Sequence, residues 1–288
     1  MSRTTAPFVS RLPSIGGIVS AMLTCSTAVA DIGFGEEQFK LQLGGFLSDF
    51  DSNVKLSGPN GGTSVSLEDA LGLDADQTTF RGELTWRFAP RHRVMLGYYS
   101  FKRDASDIND RSFVVDTEDG TYEFDAGTRI ETEFDWTLIP ISYGYSFYKT
   151  EQLEIAGTVG VHWFDTRIGY AGSAVVTPPG GSPSPVASAA EAETASGPLP
   201  VFGIRADYAI TPKWYVGGHA QYFGLDYDDY SGRLSDFRIQ TDYWLTDYIG
   251  AGLGYTWYNI DLSVDKGRYE AAAEYRYNGF EAYLQFRF

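Results

Sequence analysis

The chain has 288 residues, with 22 Lys and Arg against 38 Asp and Glu, a formal net charge of −16. Such an excess of acid argues against nucleic acid as a partner, because phosphate backbones are bound through basic side chains. The single cysteine, Cys25, allows no disulfide framework, and no apolar run is long enough for a membrane-crossing helix.

Residues 1–30 read as a secretory signal. Arg3 and Arg11 form a basic n-region, Ile15 to Thr24 a short apolar stretch, and Ala28-Val29-Ala30 a small-x-small cleavage site. Met22-Leu23-Thr24 lacks the small residue expected before a lipid-modified cysteine. Cleavage after Ala30 leaves 258 residues (288 less 30) starting at Asp31 and free of cysteine. It also removes two basic residues, so the remaining 20 face 38 acids, a net of −18.

From there the pattern is strand after strand with period two. The first spans about 38–50, with Phe39, Leu41, Leu43 and Leu47 on one face and Lys40, Gln42 and Ser48 on the other. In the second, about 78–88, Phe80, Leu84, Trp86 and Phe88 alternate with Thr79, Arg81, Glu83, Thr85 and Arg87. A tight turn at 89–92 leads to a third strand, about 93–103. The fourth lies within 128–148, and its alternation slips at Leu138-Ile139-Pro140-Ile141. Proline cannot donate to a ladder, so a bulge is expected there.

After a turn at 149–152, the fifth strand (153–168) puts Leu153, Ile155, Val159, Val161 and Trp163 opposite Glu154, Thr158 and His162. Residues 171–198, rich in Gly, Pro, Ala and Ser, read as a mobile loop that buries no core. The sixth strand (199–210) turns Arg205 and Asp207 to the polar face, and the seventh (214–227) turns His219 and Gln221. The eighth (233–245) carries Asp236, Arg238, Gln240 and Asp242 there. A ninth strand covers about 248–263 and a tenth about 268–288. Asn278-Gly279 is a hairpin signal, but a turn there would send the carboxy terminus to the wrong end, so a bulge is preferred.

The last nine residues alternate strictly. Phe280, Ala282, Leu284, Phe286 and Phe288 share one face; Glu281, Tyr283, Gln285 and Arg287 share the other. This ending resembles the carboxy-terminal signature of Gram-negative outer-membrane proteins. That resemblance implies an all-β fold: a transmembrane antiparallel up-and-down barrel of about ten strands (eight or twelve remain open) in the bacterial outer membrane. It also implies recognition of Phe286 and Phe288 by the outer-membrane barrel assembly machinery, and contact with outer-membrane lipid and lipopolysaccharide. The mean hydropathy of −0.22 is compatible, since alternate residues face lipid and lumen and the average cancels. Small barrels of the OmpA and OmpW type are similar in strand pattern, although no particular family is singled out.

Short turns then belong to the periplasmic side and long loops to the outside. The outer loops fall at about 51–77, 104–128, 171–198, 228–232 and 264–267. The first contains Val65 to Leu73, read as a short helix or a plug-like lip. Residues 104–135 hold Asp104, Asp107, Asp110, Asp116, Glu118, Asp119, Glu123, Asp125, Glu131, Glu133 and Asp135 against Arg111 and Arg129. With Asp226, Asp228 and Asp229 they offer hard oxygen ligands for divalent cations at the outer rim. The plainer reading is a solvated acidic loop.

The polar faces predict a lumen lined by Lys40, Arg81, Glu83, Arg87, Glu154, His162, Arg205, Asp207, His219, Asp236, Arg238, Asp242, Glu281 and Arg287. In a barrel this small such residues pair into wall-bracing salt bridges or line a narrow conduit for small polar solutes. No catalytic, cofactor or metal site is assigned. His92 falls in a turn, and Gly250 to Gly254 reads as strand. Outer-membrane hydrolases such as the omptin-like proteases use Asp and His at the outer rim. A hydrolase of lipid or peptide is therefore the competing reading, to be judged by the heights of His162 and His219.

Overall fold

The computed structural model describes residues 33–58, 61–66, 68, 73–108, 113–117, 120–124, 129–177, 181–227, 230–265 and 270–288. The expected signal segment lies outside these residues. So do Asp110, Arg111, Glu118, Asp119, Asp125, Asp228 and Asp229, the loop 266–269, and most of the expected lip at 65–73.

Thirteen strands occur in chain order among the described residues. They are β1 (Phe39–Gly58), β2 (Gly61–Ser66), β3 (Asp76–Ala89), β4 (His92–Ile108), β5 (Phe113–Thr117), β6 (Gly120–Phe124), β7 (Arg129–Lys149), β8 (Leu153–Thr177), β9 (Ser184–Ala209), β10 (Trp214–Tyr227), β11 (Tyr230–Trp244), β12 (Ile249–Asp265) and β13 (Glu270–Arg287). Ten form the wall in the order β1, β3, β4, β7, β8, β9, β10, β11, β12, β13, every pair antiparallel. The barrel closes where β13 returns to β1, from Lys40 opposite Arg287 to Ser57 opposite Glu270. The strands β2, β5 and β6 are short additions at the outer end.

In the half nearest the short turns, apolar side chains point out and polar ones in. On β8 the outward row runs from Leu153 to Trp163, eleven residues, which spans a bilayer when tilted by about 45°. Above that line the polarity of the faces inverts. On β1, Asp49 and Asp51 replace Leu43 and Leu47 outside, while Phe46 and Phe50 are buried inside. On β7, Asp135, Glu133 and Glu131 are outside and Phe134, Trp136 and Leu138 inside. The upper barrel therefore has the sidedness of a water-soluble one.

This inversion corrects the bulge expected at Pro140. The register of β7 on β8 runs unbroken through Pro140 opposite His162 and shifts only at Ser146/Tyr148. The slip in the pattern marks the change of faces: Leu138 points into the lumen and Ile141 into lipid. The bulge expected at Asn278-Gly279 is absent too, because β13 keeps one register with both neighbours through those residues. Glycine is needed there for close approach, since a Cβ at 279 would collide with the Leu47 carbonyl.

The tract 171–198 is likewise not a structureless loop. β8 and β9 continue as a paired arm from Phe164 opposite Gly197 to Val176 opposite Ser184, with one shift at Gly172/Ala174. Thirteen residues at a strand's rise, tilted by about 45°, carry it roughly 30 Å above the lipid band. Small side chains add no core, but main-chain pairing needs none. The first two outer loops are also shorter than expected, because β1 and β4 extend to Gly58 and Ile108.

Candidate functional site: the filled lumen

The lumen is stacked in layers. At the periplasmic mouth the segment before β1 folds under the wall, with Gly35 at φ 68°. Lys149 Nζ donates to the Gly35 carbonyl at 2.8 Å and pairs with Glu36 at 3.0 Å. Phe34 meets the Tyr215 ring edge-on at 5.1 Å, and Arg287 lies 4.1 Å over Trp244. Above this strap, Arg87 grips Glu154 with two bonds of 2.8 and 2.9 Å. Arg93 and Arg205 share Asp207 at 3.2 and 3.0 Å.

The next layer is a closed ring of two cations and two anions from β3, β11 and β13. Glu83 pairs with Arg81 at 2.7 Å and Arg238 at 2.9 Å. Glu281 pairs with Arg238 at 3.0 Å, contacts Arg81, and accepts from Thr256 Oγ1 at 2.5 Å. Asp242 accepts from Tyr283 at 2.6 Å and from Gln240 at 3.2 Å. Isolated buried charges would be prohibitive here; mutual pairing makes them tolerable. Of the residues read from sequence as lumen-lining, Arg81, Arg87, Glu154, His162, Arg205, Arg238, Asp242, Glu281 and Arg287 are buried, and Lys40, Glu83, Asp207, His219 and Asp236 are half-buried.

Beside the ring lies a cavity of about 40 Å³ lined by Glu83, Tyr99, Ser142, Thr158, His162, Arg205, His219, Gln221 and Asp236 among others. It has room for a water molecule. His219 Nε2 is 3.1 Å from Asp236. His162 is within hydrogen-bond distance of Tyr258 (3.1 Å) and Gln221 (3.0 Å) and stacks on Tyr258. Among the described residues no three His, Cys, Asp or Glu side chains converge as a metal ion requires.

An aromatic plug roofs the cavity. Tyr258 stacks on Tyr277 at 4.8 Å, Trp136 on Tyr275 at 4.4 Å, and Phe46, Phe50 and Phe101 pack between them. Leu73, from the region expected as a lip, is buried in the same cluster. Arg103 crowns it, 4.6 Å over Phe50 and 4.9 Å over Phe134, bonded to Glu68 at 2.6 Å and to Ser52 at 3.1 Å.

Sequence reading missed Arg93, Tyr99, Arg103 and the plug. Arg93 and Tyr99 share the inward parity of β4, with Val94, Leu96 and Tyr98 pointing out, so period two already placed them. Phe46 and Phe50 likewise share the face of Gln42 and Ser48. A polar lumen was expected, and the inversion of faces hid them.

A closed ten-stranded barrel with a lipid-facing band and a filled polar lumen is an integral membrane protein of the porin-like architectural class. The chain belongs to the outer-membrane protein β-barrel domain family, whose pattern it matches over residues 17–243. It is thus a protein of the bacterial outer membrane. No curated protein matches it in sequence. Among solved structures, the outer membrane protease OmpT from Escherichia coli superposes with a TM-score of 0.51 at 11% identity, covering 86% of this chain and 97% of that one. The Pseudomonas putida toluene transporter TodX gives 0.36 at 9% identity, covering 87% and 90%. Neisserial surface protein A gives 0.32 at 13%, covering 87% and 97%. At such identities the likeness to OmpT speaks for the fold alone, and the other two superpositions carry no argument.

Proposed function

We propose that the protein is a non-conducting, non-enzymatic outer-membrane barrel whose braced wall holds its outer arms at the cell surface. The observation that carries this reading is the crowding of buried side chains in the lumen at both levels. The aromatic plug fills the outer part, and ion pairs with the Phe34 strap fill the periplasmic part. Passage of small polar solutes would need both to move. The hydrolase reading is weakened by the depth of His162 and His219, which lie under the plug and are hydrogen-bonded within the wall.

The assembly machinery reading Phe286 and Phe288, and divalent cations bridging acidic outer positions to lipopolysaccharide phosphates, belong to the same proposal. Proteoliposomes of the folded protein test it. Entrapped small sugars and ions are expected to stay inside, and lipid and peptide substrates to survive incubation. Leakage at the rate of an open pore would overturn the reading towards a conduit, and turnover towards a hydrolase.

A further inference from the structure

The wall is unequally sewn. β9 pairs with β8 from Tyr208 to Ser184 with one register shift, but with β10 only from Ala209 opposite Tyr215 to Phe202 opposite Tyr222. β10 itself continues to Tyr227, paired with β11 alone. Among the described residues, β9 from Ser184 to Val201 therefore has an unpaired edge, which stands above the lipid band from Gly197 outward.

The sequence explains where the seam stops. The Ile210 N–H donates to the Trp214 carbonyl of β10, whereas the Ala209 N–H donates to Gln152 on the β8 side. In a strand the direction of these groups alternates, so even-numbered residues address β10. The next two such positions above Phe202 are Pro200 and Pro198, which have no N–H to give. Beyond them the even positions 190, 192, 194 and 196 are Ala, Ala, Thr and Ser, and each offers both an N–H and a carbonyl to the free edge.

Such an edge is a template for another strand. A second copy is a poor occupant. The homotypic antiparallel register that pairs all four of these positions, 190 with 196 and 192 with 194, sets 193 against 193, and the registers shifted towards 190 set 191 against 193 or 191 against 191, where both positions are Glu. Like charges directly opposite destabilise a pair. Basic residues two apart on an incoming strand would instead stand opposite both acids. The acidic excess of the chain draws the same kind of partner.

We propose that the outer edge of β9, over residues 190–196, docks an extended cationic peptide segment by strand addition. This rests on the surface role proposed above, but not on whether the barrel conducts, so bilayer silence and peptide binding succeed or fail separately.

The probe is a capped heptapeptide with Lys at positions 2, 4 and 6 and Val or Thr between, labelled for fluorescence anisotropy against the folded full chain. Its partner probe has the same charge, with the backbone amides on one edge N-methylated. Saturable binding is expected, at least tenfold tighter for the unmethylated peptide. Hydrogen exchange should slow at Ala190, Ala192, Thr194 and Ser196. Ala192→Pro removes one edge donor without touching the β8 side and should cut affinity about tenfold. Glu191→Gln with Glu193→Gln should weaken binding and flatten its salt dependence. Equal binding of the two probes would mean simple charge attraction and overturn the proposal. So would an unaffected Ala192→Pro variant, no binding at all, or self-association of the protein through this edge.

Discussion

Glu281 is where the cost of filling a lumen with charge is clearest. It is 2% exposed and answers two arginines and a threonine at once. Removing one member of such a ring strands the others, which typically costs about 3–5 kcal/mol. Glu281→Ala is therefore expected to lower the unfolding free energy read from a urea titration by that much, whereas Lys102→Ala, whose side chain is 70% exposed with its ammonium 3.5 Å from Asp135, should change it by less than about 1 kcal/mol. Equal effects would mean that the lumen pairs brace nothing. At this scale the sequence was informative. Alternation alone assigned Arg81, Glu154 and Arg238 to the lumen. It could not tell which acid meets which base, because partners such as Arg81 and Glu281 are brought together only by closure of the barrel.

At the scale of elements, two glycines on the β1–β13 seam make opposite predictions. A Cβ at Gly279 would strike the Leu47 carbonyl, while one at Gly45 meets nothing within 4 Å. Gly279→Ala should destabilise by about 1–3 kcal/mol through overpacking, and Gly45→Ala should be silent. The check is the folded fraction by heat-modifiable gel migration across a urea series. Strand positions and the short turns were legible because the lipid-facing rows are strict. Three features were not. Asn-Gly looked like a turn or bulge, because a close approach and a tight turn call for the same residue. Pro140 looked like a bulge, because the change of faces at Leu138 imitates a lost residue. The arm of β8 and β9 looked disordered, because Ala, Ser and Gly carry no pattern when the main chain supplies the pairing.

Across the whole molecule, charge is partitioned. The lumen-facing cations Lys40, Arg81, Arg87, Arg93, Arg205, Arg238 and Arg287 are nearly balanced by Glu83, Glu154, Asp207, Asp236, Asp242 and Glu281. The large acidic excess therefore lies outside the lumen, and the interior is close to neutral, as a low-dielectric setting demands. The membrane and a barrel of about ten strands, with eight or twelve left open, followed from sequence. The packing of the lumen did not, because it depends on which rings meet across the barrel at one height. Closure is the central claim, and single-channel recording of the refolded protein in a planar bilayer tests it most directly. The account predicts a folded, inserted and electrically silent barrel; discrete, reproducible conductance steps from the unmodified protein would contradict it.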